Sequence, residues 1–170
     1  DGYQALSSTR FIINMEKVET YGLEIEAVAR PAPNLELSAG LGLLHTDIKD
    51  AGVQYAVANG NELNSAPKVT ANIGAKYWFS NGFNVGASMN FVDEFYGDFL
   101  NTPERVAGGY TLTRLTANYV NANWQVSAFV NNAFDEDEYL NREPASARDP
   151  IGYVSIVDPR NAGVSVTYSF

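Results

Sequence analysis

The 170 residues carry 20 acidic and 11 basic side chains, a formal charge of -9, one histidine and no cysteine. Nucleic acid is excluded as a partner by that balance, because phosphate contacts need clustered Lys and Arg, and disulfide frameworks and thiolate metal or redox centres are excluded with the cysteines. No run approaches the 18 consecutive apolar residues of a membrane helix, and no secretory leader precedes Asp1, which is read as the start of a mature chain or of a fragment.

Residues 1 to 8 read as the end of a strand, followed by a turn around Ser8 to Glu16. From 17 to 30, Leu23, Ile25, Ala27 and Ala29 share one parity and Glu24 and Glu26 the other. Leu35, Leu37, Ala39, Leu41 and Leu43 then alternate with Glu36, Ser38, Gly40 and Gly42. Val69, Ala71, Ile73, Ala75, Tyr77 and Phe79 alternate with Thr70, Asn72, Gly74 and Lys76, and Phe83, Val85, Ala87, Met89 and Phe91 with Asn84, Gly86, Ser88 and Asn90. Residues 110 to 120 slip phase near Thr113, a slip that a β-bulge accommodates. Trp124, Val126, Ala128 and Val130 resume the pattern, and Val164, Val166, Tyr168 and Phe170 close it against Gly163, Ser165, Thr167 and Ser169. A period of two over so many residues specifies strands with one apolar and one polar face.

The connections alternate between short, at 30 to 34, 80 to 82 and 121 to 123, and long, at about 46 to 66, 93 to 109 and 136 to 160. Short turns at one end and long loops at the other are the asymmetry of outer-membrane barrels, and they put Phe170 on the periplasmic side. A strand from Lys68 to Phe79, at about 3.3 Å per residue and about 45° tilt, spans roughly 28 Å, the hydrocarbon thickness. Tyr77, Phe79, Phe83, Tyr119, Trp124, Tyr168 and Phe170 lie beside the short turns, whereas Phe91, Phe95, Tyr96, Phe99 and Tyr110 lie towards the long loops. Two aromatic girdles around a band of smaller apolar residues are what interfacial partitioning produces. The fold expected is all-β: an antiparallel up-and-down transmembrane β-barrel, residues 1 to 170 forming one part of a barrel domain with about eight strands.

The segments KVETYGLEIE, ARPAPNLELSAGLG, GNELNSAPKVTANIGAKYWF, GGYTLTRLTANY, NWQVSAFVNNAFDEDEYL and GVSVTYSF, in that order, resemble the C-terminal barrel portion of a TonB-dependent outer-membrane receptor. The likeness covers nearly the whole chain. It implies location in the outer membrane of a Gram-negative bacterium, contact with outer-membrane lipid, and uptake of a scarce solute, a ferric siderophore first. It also implies that Val164, Val166, Tyr168 and Phe170 form the signal read by the barrel assembly machinery. The family's N-terminal plug, through which the TonB complex acts, is not among these residues, and a family barrel has roughly 22 strands. The chain is therefore read as the last part of a larger barrel. The alternative is a small closed eight-stranded barrel with a structural or adhesive role, and a soluble β-sandwich binding module stands behind it.

Glu24, Glu26 and Glu36 share the polar parity and are lumen-facing candidates, as path-lining groups or simply as hydrated wall polarity. Arg142, Arg148, Tyr153 and Arg160, in the last long loop, are candidate contacts for an anionic ligand such as a ferric chelate. Asp135 to Glu138 lack the glycine-punctuated spacing of a calcium loop and read as a solvated loop base. With His45 as the only histidine, a catalytic triad has little to build from, so no enzyme, no metal site and no cofactor is expected.

Overall fold

In the computed structural model of the protein, the described residues are 3–6, 12–145 and 150–170. In chain order the strands are β1 (Tyr3–Leu6), β2 (Ile12–Met15), β3 (Lys17–Ala32), β4 (Leu35–Asp50), β5 (Val69–Trp78), β6 (Phe83–Val92), β7 (Phe95–Tyr96), β8 (Val106–Ala107), β9 (Tyr110–Val120), β10 (Trp124–Asn131), β11 (Tyr139–Glu143), β12 (Tyr153–Ile156) and β13 (Asn161–Tyr168). Seven of them form one antiparallel sheet in the order β13-β10-β9-β6-β5-β4-β3. Each strand lies beside its predecessor in that sheet, the up-and-down meander that alternating short and long connections dictate. The remaining strands pair as β1-β2, β7-β8 and β11-β12 hairpins. The expected N-terminal strand is thus present in part, as β1, but it joins β2 and not the large sheet.

Among the described residues β3 and β13 are the two edges of an open sheet, so the closed eight-stranded ring is not formed. The sandwich reading also fails, because among the described residues no second layer covers the apolar parity. Leu23 is 54% exposed, Ile73 56% and Val164 71%, although all three are large aliphatic side chains in mid-strand. Groups that would form the core of a water-soluble sheet are the outer surface of this one.

The register fixes both faces. Ile25 lies opposite Leu41, Leu41 opposite Ala71 and Ala71 opposite Phe91, giving one apolar row. Glu36 lies opposite Lys76, Lys76 opposite Gly86 and Gly86 opposite Thr116, giving a polar row on the other side. The expected bulge near Thr113 is absent, since β6 and β9 pair without a break from Phe83–Tyr119 to Val92–Tyr110. The slip is one of composition and not of geometry. Thr111 and Thr113 occupy the apolar face opposite Phe91 and Met89, while Tyr110 and Leu112 occupy the polar one.

At the short-turn end, Tyr77 and Phe79 meet edge to face at 4.8 Å and Phe79 and Phe83 lie tilted at 5.7 Å, with a second cluster of Trp124, Tyr168 and Phe170 at 4.7 and 5.8 Å. Gly82 holds φ at +84° in the turn between β5 and β6, a conformation that glycine adopts without strain. At β13, the Phe129 ring lies over Gly163, where a Cβ would stand 2.7 Å from the ring, so the missing side chain makes room for the aromatic cover. The girdle expected at the other end is thinner than the sequence indicates. Phe99 is buried, Tyr110 faces the polar side, and the Tyr21–His45 ring pair, 4.7 Å apart, joins Phe91 on the apolar face.

The buried core sits at the long-loop end. Met15, Ile48, Ala51, Ala58, Leu63 and Phe99 pack together beneath the 3₁₀ turn Val53–Ala58. Here β4 runs to Asp50, beyond the expected strand end, because Thr46 and Ile48 turn inward against this cluster. The long loops are therefore a packed layer and not only solvated polar chain.

Candidate functional site: the polar face and the loop layer

Glu24 and Glu26 on β3 lie opposite Gly42 and Gly40, with Ser38 and Glu36 further along the same face of β4. Glu36 is paired across the short turn with Arg30, Nη2 to Oε2 2.6 Å and Nε to Oε2 2.9 Å. Further into the sheet, Lys76 on β5 rests over the Trp78 ring at 5.0 Å and Arg114 on β9 over the Phe129 ring at 5.6 Å. Both line a shallow depression of about 210 Å³ whose floor consists of Ser38, Gly74, Gly86, Ser88 and Thr116. Small residues on the polar parity of four adjacent strands, β4, β5, β6 and β9, leave that space open.

Two of the long loops are tied to one another by backbone and amide contacts. Asn101 adopts φ +53°, accepts the Glu62 N–H on Oδ1 at 2.8 Å and donates Nδ2 to the Glu62 carbonyl at 2.9 Å. Asn61 Nδ2 reaches the Phe99 carbonyl at 3.0 Å, and the Ser65 N–H reaches Tyr96 O at 2.9 Å. Lys68, 2.6 Å from Glu62, is held above the ordinary lysine pKa, first by that hydrogen bond and then by the carboxylate's charge. The third loop joins through Arg105. Its Nε lies 3.3 Å from Asp98 Oδ2 and its Nη1 donates to Glu143 Oε2 at 2.5 Å. Asp98 also accepts from the Thr102 hydroxyl at 2.7 Å.

The candidate ligand contacts fall in different places. Arg142 stacks on Tyr139 at 4.9 Å, and Tyr153, about half exposed, lies opposite Glu143 in the β11-β12 hairpin. Arg160 stands at the start of β13, its N–H donating to Asp135 Oδ1 at 2.9 Å and its guanidinium 3.6 Å from Oδ2. Arg148 lies outside the described residues. The acidic run is thus more than a solvated loop base, since Asp135 is engaged by Arg160, and among the described residues no group of three or more candidate ligands could hold a metal ion. Val164, Val166, Tyr168 and Phe170 are all exposed on the last strand and its end.

Three residues at the centre of these ties were missed in the sequence. Asn132, buried with φ +47°, donates Nδ2 to the Glu136 and Asp158 carbonyls at 2.9 Å each and accepts the Glu136 N–H at 2.8 Å. It pins the base of the last loop between β10 and β13. The asparagine of the NNAFDEDEY segment was the available signal for it. Arg105 and Asn101 had none, because their partners are some 38 positions away.

Among solved structures, the chain resembles the siderophore receptor PiuA from Acinetobacter baumannii (21% identity, TM-score 0.77, 97% of this chain and 24% of that one). It also resembles the ferric yersiniabactin uptake receptor FyuA from Yersinia pestis (18%, 0.79, 94% and 25%) and the ferric citrate transporter FecA in its unliganded form (16%, 0.72, 97% and 27%). The chain spans about a quarter of the length of these receptors, and at such identities the likeness speaks for the fold. The family profile described as TonB dependent receptor-like, beta-barrel matches residues 1–133. An uncovered apolar face, a polar opposite face, short turns at one end and packed loops at the other agree with that match: the chain belongs to the TonB-dependent receptor β-barrel family.

Proposed function

We propose that these residues form the closing part of the wall of an outer-membrane receptor that takes up a scarce solute in a TonB-dependent manner, a ferric siderophore before other chelates. The observation that carries this reading is the single-layered sheet with its aliphatic parity bare, which needs acyl chains on that side and a polar lumen on the other. The names of the three similar structures given above, a siderophore receptor, a ferric yersiniabactin receptor and a ferric citrate transporter, favour iron over other solutes. In this reading Glu24, Glu26 and Glu36 line the lumen. Arg142, Arg148, Tyr153 and Arg160 offer cationic and aromatic contacts to an anionic chelate at the outer mouth. Val164, Val166, Tyr168 and Phe170 present the alternating apolar, aromatic-ended strand to the barrel assembly machinery, and the TonB complex acts through a plug.

The test is radio-iron uptake by iron-starved cells expressing the intact receptor, compared with its Arg142→Ala/Arg160→Ala variant at equal surface abundance. Uptake of a ferric siderophore that falls several-fold in the variant supports the reading. Equal uptake by cells with and without the receptor, across ferric siderophores, contradicts it.

A further inference from the structure

Asparagine is followed by glycine twice, at Asn59-Gly60 and at Asn81-Gly82. This dipeptide is prone to cyclise on itself, because a glycine nitrogen has no Cβ beside it to hinder its approach to the asparagine side-chain carbonyl. The fold treats the two pairs differently. In the first, the Gly60 N–H donates to the Ile48 carbonyl at 2.8 Å and Asn59 Oδ1 accepts the Ala51 N–H at 2.8 Å, so attacking and attacked groups are each held elsewhere. Their partners Ile48 and Ala51 are buried in the loop core. In the second, on the exposed turn between β5 and β6, neither the Gly82 N–H nor Asn81 Nδ2 has a hydrogen-bond partner among the described residues. Asn81 Oδ1 accepts the Phe83 N–H at 3.2 Å. That contact, made by an asparagine to the backbone two residues on, brackets the intervening Gly82 nitrogen with the side-chain carbonyl and polarises the carbon to be attacked.

A third turn separates the effect of the contact from that of the glycine. Asn121, between β9 and β10, accepts the Asn123 and Trp124 N–H groups at 3.0 and 2.8 Å, but Ala122 follows it and its Nδ2 donates to the Tyr119 hydroxyl at 3.2 Å. Only at Asn81, of these three, do an unhindered nitrogen, a free leaving amide and a polarised carbonyl coincide.

We propose that Asn81 is a site of spontaneous deamidation selected by the fold. The Gly82 nitrogen gives up its proton to solvent and bonds to Asn81 Cγ, the side-chain nitrogen leaves as ammonia, and a succinimide closes. Water then opens one of its two carbonyls, leaving isoaspartate or aspartate at position 81. One water is consumed and one ammonia released, with no change in oxidation state. Both products place a new negative charge beside the Phe79 and Phe83 rings, and isoaspartate also lengthens by a methylene a turn closed by the Phe79 N–H on the Phe83 carbonyl at 2.8 Å. The turn cannot exchange its glycine for a less reactive neighbour. Gly82 holds φ at +84°, and a Cβ there would run into the Val120 carbonyl.

The test is ageing of the intact receptor in detergent, in mildly alkaline buffer made with heavy-oxygen water, followed by peptide mapping by mass spectrometry. The expected result is a heavy-oxygen carboxylate at 81 that accumulates several-fold faster than at 59 or 121, with isoaspartate in excess over aspartate and heat-modifiable folding retained. In urea-unfolded receptor Asn59 should catch up with Asn81 while Asn121 stays behind. Asn81→Gln, which keeps the amide but disfavours the ring, should remove the acidic shift of the aged protein. Conversion of Asn59 as fast as Asn81 in the folded receptor overturns the proposal, and so does an Asn81 that converts no faster than Asn121.

Discussion

Arg105 and Glu143, 38 positions apart, meet between two long loops, and the same guanidinium reaches Asp98 on its own loop. Only 11% of the Arg105 side chain is exposed, so the loop layer is held by a largely desolvated cation between two carboxylates. Arg105→Ala leaves both acids facing each other unpaired, at an expected cost of about 3 kcal/mol in the opening of that layer. Hydrogen exchange over residues 97 to 107 and 139 to 143 should accelerate together, while exchange in β5 and β6 stays unchanged.

Asn132 combines a left-handed backbone conformation with three hydrogen bonds, so its replacement removes two kinds of support at once. Asn132→Ala is expected to cost about 2 kcal/mol or more. Asn132→Gly should recover only the backbone part. Limited proteolysis between residues 133 and 160 checks this, with cleavage faster in Ala than in Gly and slowest in the native protein.

The two faces differ in what they tolerate. Ile73→Arg or Leu41→Arg places a charge on the apolar parity and should cost about 2 to 4 kcal/mol at mid-bilayer, whereas Ser88→Arg on the polar parity should be nearly neutral. Unfolding of the intact receptor from liposomes, measured for the three variants side by side, gives the comparison.

Phe170 extends past β13, its ring 5.8 Å from Tyr168, while the adjacent Ser169 carbonyl is fixed by Asn123 at 2.9 Å. The terminal ring therefore adds little to the sheet itself. Its deletion should lower surface yield in cells several-fold and leave the unfolding midpoint of the purified protein within a degree or two, the separation expected of an assembly signal.

The strands were legible because each face of a strand meets a different solvent, and alternation is the direct record of that. Residues 110 to 120 have the same bounds in parity and in the structure, and the alternating run from Trp124 to Val130 falls within β10. Thr111 and Thr113 misled, since a threonine on the apolar face imitates a shift in register. The end of β4 was misread because HTDIKD is polar in composition, although Ile48 is wholly buried. The loop core is hidden for a different reason: Met15 ends β2, Ile48 lies near the end of β4, Leu63 in the first long loop and Phe99 in the second, and only the meander brings these segments to one end. Candidate charges on the polar face could be assigned by parity, but not their pairing. Glu36 with Arg30, and Lys76 over the Trp78 ring, follow from local geometry that alternation does not encode.

The most direct measurement is a nitroxide scan from residue 70 to 77 in liposomes, reading collision with apolar oxygen and with a water-soluble nickel chelate at each site. Contact of the aliphatic parity with acyl chains predicts high oxygen and low nickel access at 71, 73, 75 and 77, and the reverse at 70, 72, 74 and 76. Positions 71, 73 and 75 closed to both reagents would mean that a protein layer covers them, and would contradict the membrane-wall assignment.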